Sequence, residues 1–397
     1  MRNDVDQEDL AHRPVPEHLA VQGLPFEAKS GSQARVVWLH RVGSGKMTVR
    51  NQSPHEMFVQ MALAHRPEAK FDATSAAEFE AWKNDTLPKV MATLGRLPER
   101  VPANPELQVE WQDGNVIRQK WVIDVGPYLS STVFVNRPAD MAEGEKRPAI
   151  LCWHGHGRYG KESVMGRGAT PEVRDGIARA NYNFGYQMAE KGFITFASDW
   201  MGRGDNDDTR KPNHRDVSHG RDWCNLYYLN ATMLGMTSIG INTTHGMAVT
   251  DFVAGLPMVD GDNLGVMGIS GGGTATLWSA LCDERIKATE IICYSDLWEA
   301  FGFRDLNYCG MQVAPGLYQL VDLPDLQGLL APRPLLVDIG AEDDCFRIET
   351  STKCFSQVEH IYETAGHRDR LELDLHPGGH AWGGNKSEAF FRKYLGL

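Results

Sequence analysis

A serine enclosed by glycines, Gly268-Ile269-Ser270-Gly271-Gly272, follows a short apolar run and precedes a stretch with helical spacing. A serine hydroxyl is a weak nucleophile until a sharp strand-to-helix turn lifts it clear of the backbone, and this glycine spacing is what such a turn requires. The chemistry implied is attack on a carbonyl by Ser270. Gly268 and Gly272 stand where a side chain would meet the neighbouring strand or helix, and Gly271 offers an amide at the start of a helix, where it can face a developing oxyanion. The plainer reading is a serine that caps a helix after a buried strand. Partners elsewhere in the chain must separate the two.

Three further segments supply candidates. The run 149–153 leads into His154-Gly155-His156-Gly157, a turn that can aim a second amide, that of His156, at the space above the serine. Otherwise it is a histidine-rich turn whose rings bond nearby carbonyls. A metal reading of His-x-His lacks a third ligand at a recognisable spacing. The run 334–340 leads into Ala341-Glu342-Asp343-Asp344, where Asp343 can orient a histidine; Asp344 is the adjacent choice, and a solvated acidic loop is the ordinary reading of such a cluster. The run 371–375 leads into His376-Pro377-Gly378-Gly379-His380, with His380 the general-base candidate and His376 its decoy. A histidine of pKa near 6.5 can take the serine proton and return it to a leaving group, provided an acid fixes its tautomer. The order Ser270, Asp343, His380 after His154-Gly155 is the order this chemistry takes on one α/β fold.

The elements that must position these groups alternate. Residues 107–111, 116–125 and 128–135 have the period of antiparallel strands, and 148–153 is a compact apolar run. Strands then take turns with helices: strands at 193–198, 264–268, 289–293, 335–339 and 371–375, and helices at about 241–256, 274–282, 349–364 and from about 386. Such alternation predicts a mostly parallel, twisted sheet covered by helices on both faces, with reactive groups at the carboxyl ends of its strands. Upstream, Ser75 and Glu78 form a capping-box pattern, and Phe79, Trp82, Leu87, Val90 and Leu94 keep helical spacing, with Pro88 expected to kink the helix. That aromatic stripe reads as packing against the main body. Residues 1 to about 50, interrupted by Pro14, Pro16 and Pro25, read as an arm over the body or a neighbouring subunit. The expected division is 1–105, arm and helical segment, and 106–397, the catalytic domain.

The chain of 397 residues carries a net charge of −12 with 42% hydrophobic residues, which suits one large or two medium globular domains. The acidic balance argues against nucleic-acid and membrane-surface partners. Of seven cysteines, an odd number without a CxxC pair, most read as buried thiols, which favours a reducing compartment. The polar, acidic N-terminus has no apolar signal core and points to a cytoplasmic protein, although removal of a leader upstream would change that.

From about residue 75 onward the chain resembles the α/β-hydrolase superfamily, in particular its dienelactone-hydrolase-like and acetyl-xylan-esterase-like branch. The resemblance rests on His154-Gly155-His156-Gly157 with Gly160-Lys161-Glu162, on Asp199-Trp200-Met201-Gly202-Arg203-Gly204, and on Gly268-Ile269-Ser270-Gly271-Gly272. It extends to the segment from Cys309-Gly310-Met311-Gln312 to Leu317, to Ala331-Pro332-Arg333-Pro334, and to His380. It implies an α/β-hydrolase fold and a serine esterase with the triad Ser270, Asp343 and His380, an oxyanion hole from the amides of Gly271 and His156, and neither metal nor organic cofactor. The acid loop departs from the family habit, having Asp344 and Arg347 where prolines are common, so Asp343 and Asp344 both stay open. Insertions at about 200–240 and 296–318 are expected to rim the pocket, with Trp200, Arg203, Trp298 and Tyr308 as substrate contacts.

The expected function is hydrolysis of short-chain, acetyl-type esters of sugars or other small molecules through an acyl-enzyme. A lactone or carbon–carbon bond hydrolase with the same triad, or a non-catalytic ligand-binding homologue, are the alternatives. The about 140 residues before the hydrolase strands are too few for the propeller that restricts access in oligopeptidases. The arm makes a homo-oligomer conceivable without fixing a symmetry.

Overall fold

Successive residues of the strand Arg147–Trp153 face opposite ways, Leu151 and Trp153 into one buried cluster and Ile150 and Cys152 into another. Side chains alternate across a strand, so an apolar run with no polar alternation marks a strand covered on both faces. The computed structural model describes residues 39–42, 46–215 and 217–397, which fall into two units, one ending at residue 63 and one spanning 64–397. In the first, β1 (Leu39–Val42) and β2 (Lys46–Val49) form an antiparallel hairpin, followed by most of helix α1 (Pro54–Ala64). Most of the arm expected at 1 to about 50 lies outside the described residues.

The second unit begins with α2 (Ala76–Ala92), which continues through Pro88. Ser75 Oγ accepts the Glu78 amide at 3.3 Å, while the Glu78 carboxylate reaches past Ser75 to the amide and hydroxyl of Thr74, both at 2.8 Å. The cap is thus a capping box displaced by one residue on its return side. Phe79, Val90 and Leu94 bury in the larger cluster.

There follow β3 (Glu106–Asp113), β4 (Val116–Gly126), β5 (Leu129–Pro138), β6 (Arg147–Trp153), α3 (Lys161–Val164), α4 (Pro171–Ala180), α5 (Phe184–Glu190) and β7 (Ile194–Ser198). Then come α6 (Trp223–Met233), α7 (Ser238–Ala254), β8 (Val259–Ile269), α8 (Gly271–Cys282), β9 (Ile286–Ile292), α9 (Leu317–Leu320) and α10 (Leu323–Gly328). β10 (Leu335–Gly340), α11 (Ile348–Thr364), β11 (Leu371–His376) and α12 (Ser387–Leu395) complete the chain.

The sheet has the order β11-β10-β9-β8-β6-β7-β5-β4-β3. Strands β7, β6, β8, β9, β10 and β11 pair in parallel, and β5, β4 and β3 continue antiparallel at one edge. Residues of α2, α7, α8 and α11 fill one buried cluster and those of α3, α5 and α12 the other, one on each face. This is an α/β-hydrolase fold. The loops after β6, β8, β10 and β11 all leave the carboxyl end of the sheet, which is where the expected serine, acid and histidine reside. No helix among the described residues is long and apolar enough to cross a membrane.

Candidate active site

β8 ends at Ile269 and α8 begins at Gly271, so Ser270 alone makes the turn. Its backbone sits at φ +60°, ψ −124°, a region L residues adopt rarely and at a cost of order 1–3 kcal/mol. Its amide donates to the Ile292 carbonyl at 2.9 Å. The flanking glycines are required by contact: a Cβ at Gly272 would lie 2.4 Å from the Trp153 carbonyl oxygen, and one at Gly268 would lie 2.6 Å from that of Gly272. The Ser270 side chain makes no capping hydrogen bond, which removes the helix-cap reading. The Gly271 amide opens α8, where no helical carbonyl precedes it to accept.

His380 Nδ1 lies 2.8 Å from Asp343 Oδ2. The other carboxylate oxygen of Asp343 accepts the amides of Cys345 at 2.8 Å and Phe346 at 3.0 Å. Burial pushes the Asp343 carboxyl up, but its bonds to His380, Phe346 and Cys345 outweigh that and hold it below the ordinary value. The neighbouring Asp344 is exposed. The His380 loop is tied to the serine turn through β9: Ile292 accepts from Ser270, and Cys293 Sγ donates to the Ala381 carbonyl at 3.3 Å. Phe346 stacks on the His380 ring, with centroids 5.8 Å apart and planes 16° apart, and also lines the cavity of Ser270. His376, the decoy, instead faces Asp338 beneath the loop, 3.1 Å from Nε2 to Oδ1.

The loop after β6 lies over the serine, since a Cβ at Gly155 would be 3.1 Å from Ser270 Cβ. The Gly155 amide is taken by the Tyr182 hydroxyl at 2.7 Å, leaving His156 as the next amide along. A buried ion cluster anchors this loop. Lys161 and Asp199 have fully buried side chains and pair directly; Lys161 Nζ also reaches Asp205 at 2.9 Å, and Asp199 accepts the amides of Lys161 and Asp205 at 2.8 Å. Burial alone would push Lys161 down, but Asp199 and Asp205 hold it above its usual value. The motif residues Lys161 and Asp199 are therefore scaffold. Lys161→Met is expected to destabilise the protein by about 3–5 kcal/mol, because it strands the buried Asp199 carboxylate. Urea denaturation of both proteins reads this, and a loss below about 1 kcal/mol would contradict the role.

Ser270 opens into a cavity of about 190 Å³ lined by His156, Leu306, Asn307, Tyr308, Cys309, Gln312 and Phe346. Tyr308 and Gln312 are shared with an adjoining aromatic cavity of about 90 Å³ that includes Trp298, Phe303 and Tyr318. Of the expected substrate contacts, Tyr308 and Trp298 thus line cavities. Trp200 and Arg203 line neither. Trp200 is only 2% exposed, because its ring packs on those of His154 and His156 behind the loop; Arg203 turns back to bond the Gly202 carbonyl at 2.7 Å. The sequence does not single out Leu306, Asn307, Cys309, Gln312 or Phe346 as contacts, though the first four fall in the insertion at about 296–318 expected to rim the pocket. Nor does it show that Cys224 and Cys309 come together with His156, since these three share no local spacing.

Two residues past His380, Trp382 donates from Nε1 to Glu290 at 3.0 Å, and the same oxygen accepts the Ser387 hydroxyl at 2.7 Å. Glu290 is fully buried, and burial together with Asp338 raises its carboxyl to about 8. The folded protein therefore holds a proton that the unfolded chain releases near pH 4.5, so the contribution is complete below that pH and is lost as pH rises to about 8. Between pH 5 and 8 this removes on the order of 3 kcal/mol of stability. Glu290→Gln should flatten that slope in denaturation measured across the range; an unchanged slope would assign it to other groups.

A family model described as Abhydrolase family matches residues 37–378. The provisionally assigned hydrolase YtaP of Bacillus subtilis (strain 168) is 24% identical over 290 residues, covering 72% of this chain and 90% of that protein. Among solved structures, a provisionally assigned acetyl xylan esterase from Bacteroides fragilis NCTC 9343 superposes with a TM-score of 0.65 at 20% identity, covering 83% of each chain. A glucuronoyl esterase from Solibacter usitatus gives 0.57 at 16% identity, covering 79% of this chain and 92% of that one. At these identities the structural likeness is one of fold.

Proposed function

Because the chain belongs to the Abhydrolase family, we propose that it is a serine hydrolase of carboxylic esters, with Ser270 as nucleophile, His380 as general base and Asp343 as the acid that orients it. The carrying observation is the Asp343–His380 hydrogen bond at the same strand ends as the strained Ser270 turn. In this reading Ser270 Oγ attacks the ester carbonyl as its proton passes to His380 Nε2. The amides of Gly271 and His156 receive the oxyanion, the alcohol leaves with that proton, and a water activated by His380 releases the acid.

The cavity supports a small acyl group: about 190 Å³ is below the roughly 300–1,000 Å³ of sites for drug-sized ligands. Short-chain, acetyl-type esters of sugars or other small alcohols fit this space. The two structural relatives whose names carry ester hydrolysis agree with the reaction class and leave the alcohol open.

A panel of chromogenic esters that vary acyl length and alcohol separately tests the reading, together with a fluorophosphonate probe. The expected result is labelling of one serine per chain and a kcat/KM that falls steeply once the acyl group exceeds a few carbons. Labelling without turnover of any ester, but with turnover of a lactone, would move the assignment to lactone hydrolysis. Neither labelling nor turnover would leave a ligand-binding protein.

A further inference from the structure

We propose that His156, Cys224 and Cys309 form a binding site for a soft divalent cation of the zinc class, set in the wall of the Ser270 cavity. Each residue offers one ligand atom, and the three atoms lie within 4.8 Å of one another. His156 Nε2 already faces Cys309 Sγ at 3.0 Å. Tetrahedral coordination by one imidazole nitrogen and two thiolates implies N···S and S···S edges of about 3.6 and 3.8 Å, so the cluster needs adjustments of no more than about 1.2 Å. The donor set is selective in kind: two sulfurs and an imidazole suit Zn²⁺ and its soft relatives and disfavour Mg²⁺ and Ca²⁺.

The ligands arrive from three separate elements, each fixed. His156 belongs to the loop after β6, with its ring against Trp200. Cys224 is buried in the first turn of α6. Cys309 precedes a short turn tied to α6 by the Gly310 amide, which donates to Asn225 Oδ1 at 2.8 Å. Gly310 makes that approach possible, for a Cβ there would lie 2.3 Å from Tyr228 Cβ. The role gives Cys309-Gly310, part of a segment singled out in the sequence, a function beyond lining the cavity. His156 and Cys309 both line the cavity, so an ion has a path to the cluster. On binding, the two thiols release their protons to solvent and donate as thiolates, while the imidazole donates its Nε2 lone pair, so M²⁺ and two thiolates leave the site neutral.

The test uses the reduced full chain, kept reduced by a phosphine, and Cd²⁺ as a spectroscopic probe. One equivalent is expected to give a thiolate-to-cadmium charge-transfer band that one equivalent of Zn²⁺ displaces. Cys224→Ala should weaken Zn²⁺ binding by more than the roughly 100-fold that losing a supporting hydrogen bond costs. Wild-type crystals soaked in Zn²⁺ should show an anomalous peak between the three ligand atoms, an arm that stands even if the variant unfolds. No stoichiometric binding, a band that survives Cys224→Ala, or a peak elsewhere, for example at Cys293, Asp343 and His380, overturns the proposal. Every readout is independent of ester turnover, so this site and the ester reading fail separately.

Discussion

Ser270→Ala is expected to lower kcat for a short-chain ester by on the order of 10⁶ and to abolish fluorophosphonate labelling. The magnitude follows from what the change removes. The variant keeps the turn, the glycines and the Asp343–His380 pair, and loses the hydroxyl proposed to form the acyl-enzyme. The residual rate, about 10³–10⁴ above the reaction in water, then comes from oriented amides and substrate binding. The fold should tolerate the change, because Ser270 Oγ makes no capping bond and the strained backbone of the turn is common to both side chains. Equal denaturation midpoints would show that the lost rate is chemical. Activity within tenfold of the parent in a folded variant would exclude Ser270 as nucleophile, whatever its position.

The sheet was legible because burial on both faces writes itself into local sequence. Residues 149–153 contain no polar side chain, and the structure sends their odd and even positions into separate clusters. Where local signal was weak the reading fell short. β8 starts at Val259, five residues before the expected strand, because Asp260, Gly261 and Asp262 hide a segment that pairs with β6 at Arg147 and Pro148 and then shifts register. α4 is hard to read because its apolar stripe, Val173, Ile177 and Ala180, is short and buries only Val173; its strong marker is Thr170, which caps the helix ahead of Pro171.

The site divides in the same way. Ser270, Asp343 and His380 stand out in the sequence as candidates because each follows a recognisable strand, and the fold favours Asp343 over Asp344 as the proposed acid, through the two amides that fix one carboxylate. Trp200, expected as a contact, packs on His154 and His156; an aromatic residue at a strand end looks the same in sequence whether it faces ligand or packs behind a loop. The meeting of His156 with Cys224 and Cys309 depends on three loops converging in space, which no periodicity encodes.

Asp343→Asn should reduce kcat by about 10⁴, whereas Asp344→Asn should leave it within about twofold. The contrast rests on hydrogen-bond polarity. One oxygen of Asp343 accepts the amides of Cys345 and Phe346, and the other faces His380 Nδ1. An asparagine must keep its carbonyl oxygen toward those two backbone donors, since turning its amide group there would set donor against donor. Its NH₂ is thereby directed at Nδ1, which can only accept. The imidazole proton is then forced onto Nε2, the atom proposed to receive the Ser270 proton, and the base is lost with its geometry intact. Asp344, exposed to solvent, holds no such arrangement. A large loss in the Asp344 variant with a small one in the Asp343 variant would reverse the assignment. Equal small losses would mean that His380 keeps its productive tautomer without help from either carboxylate.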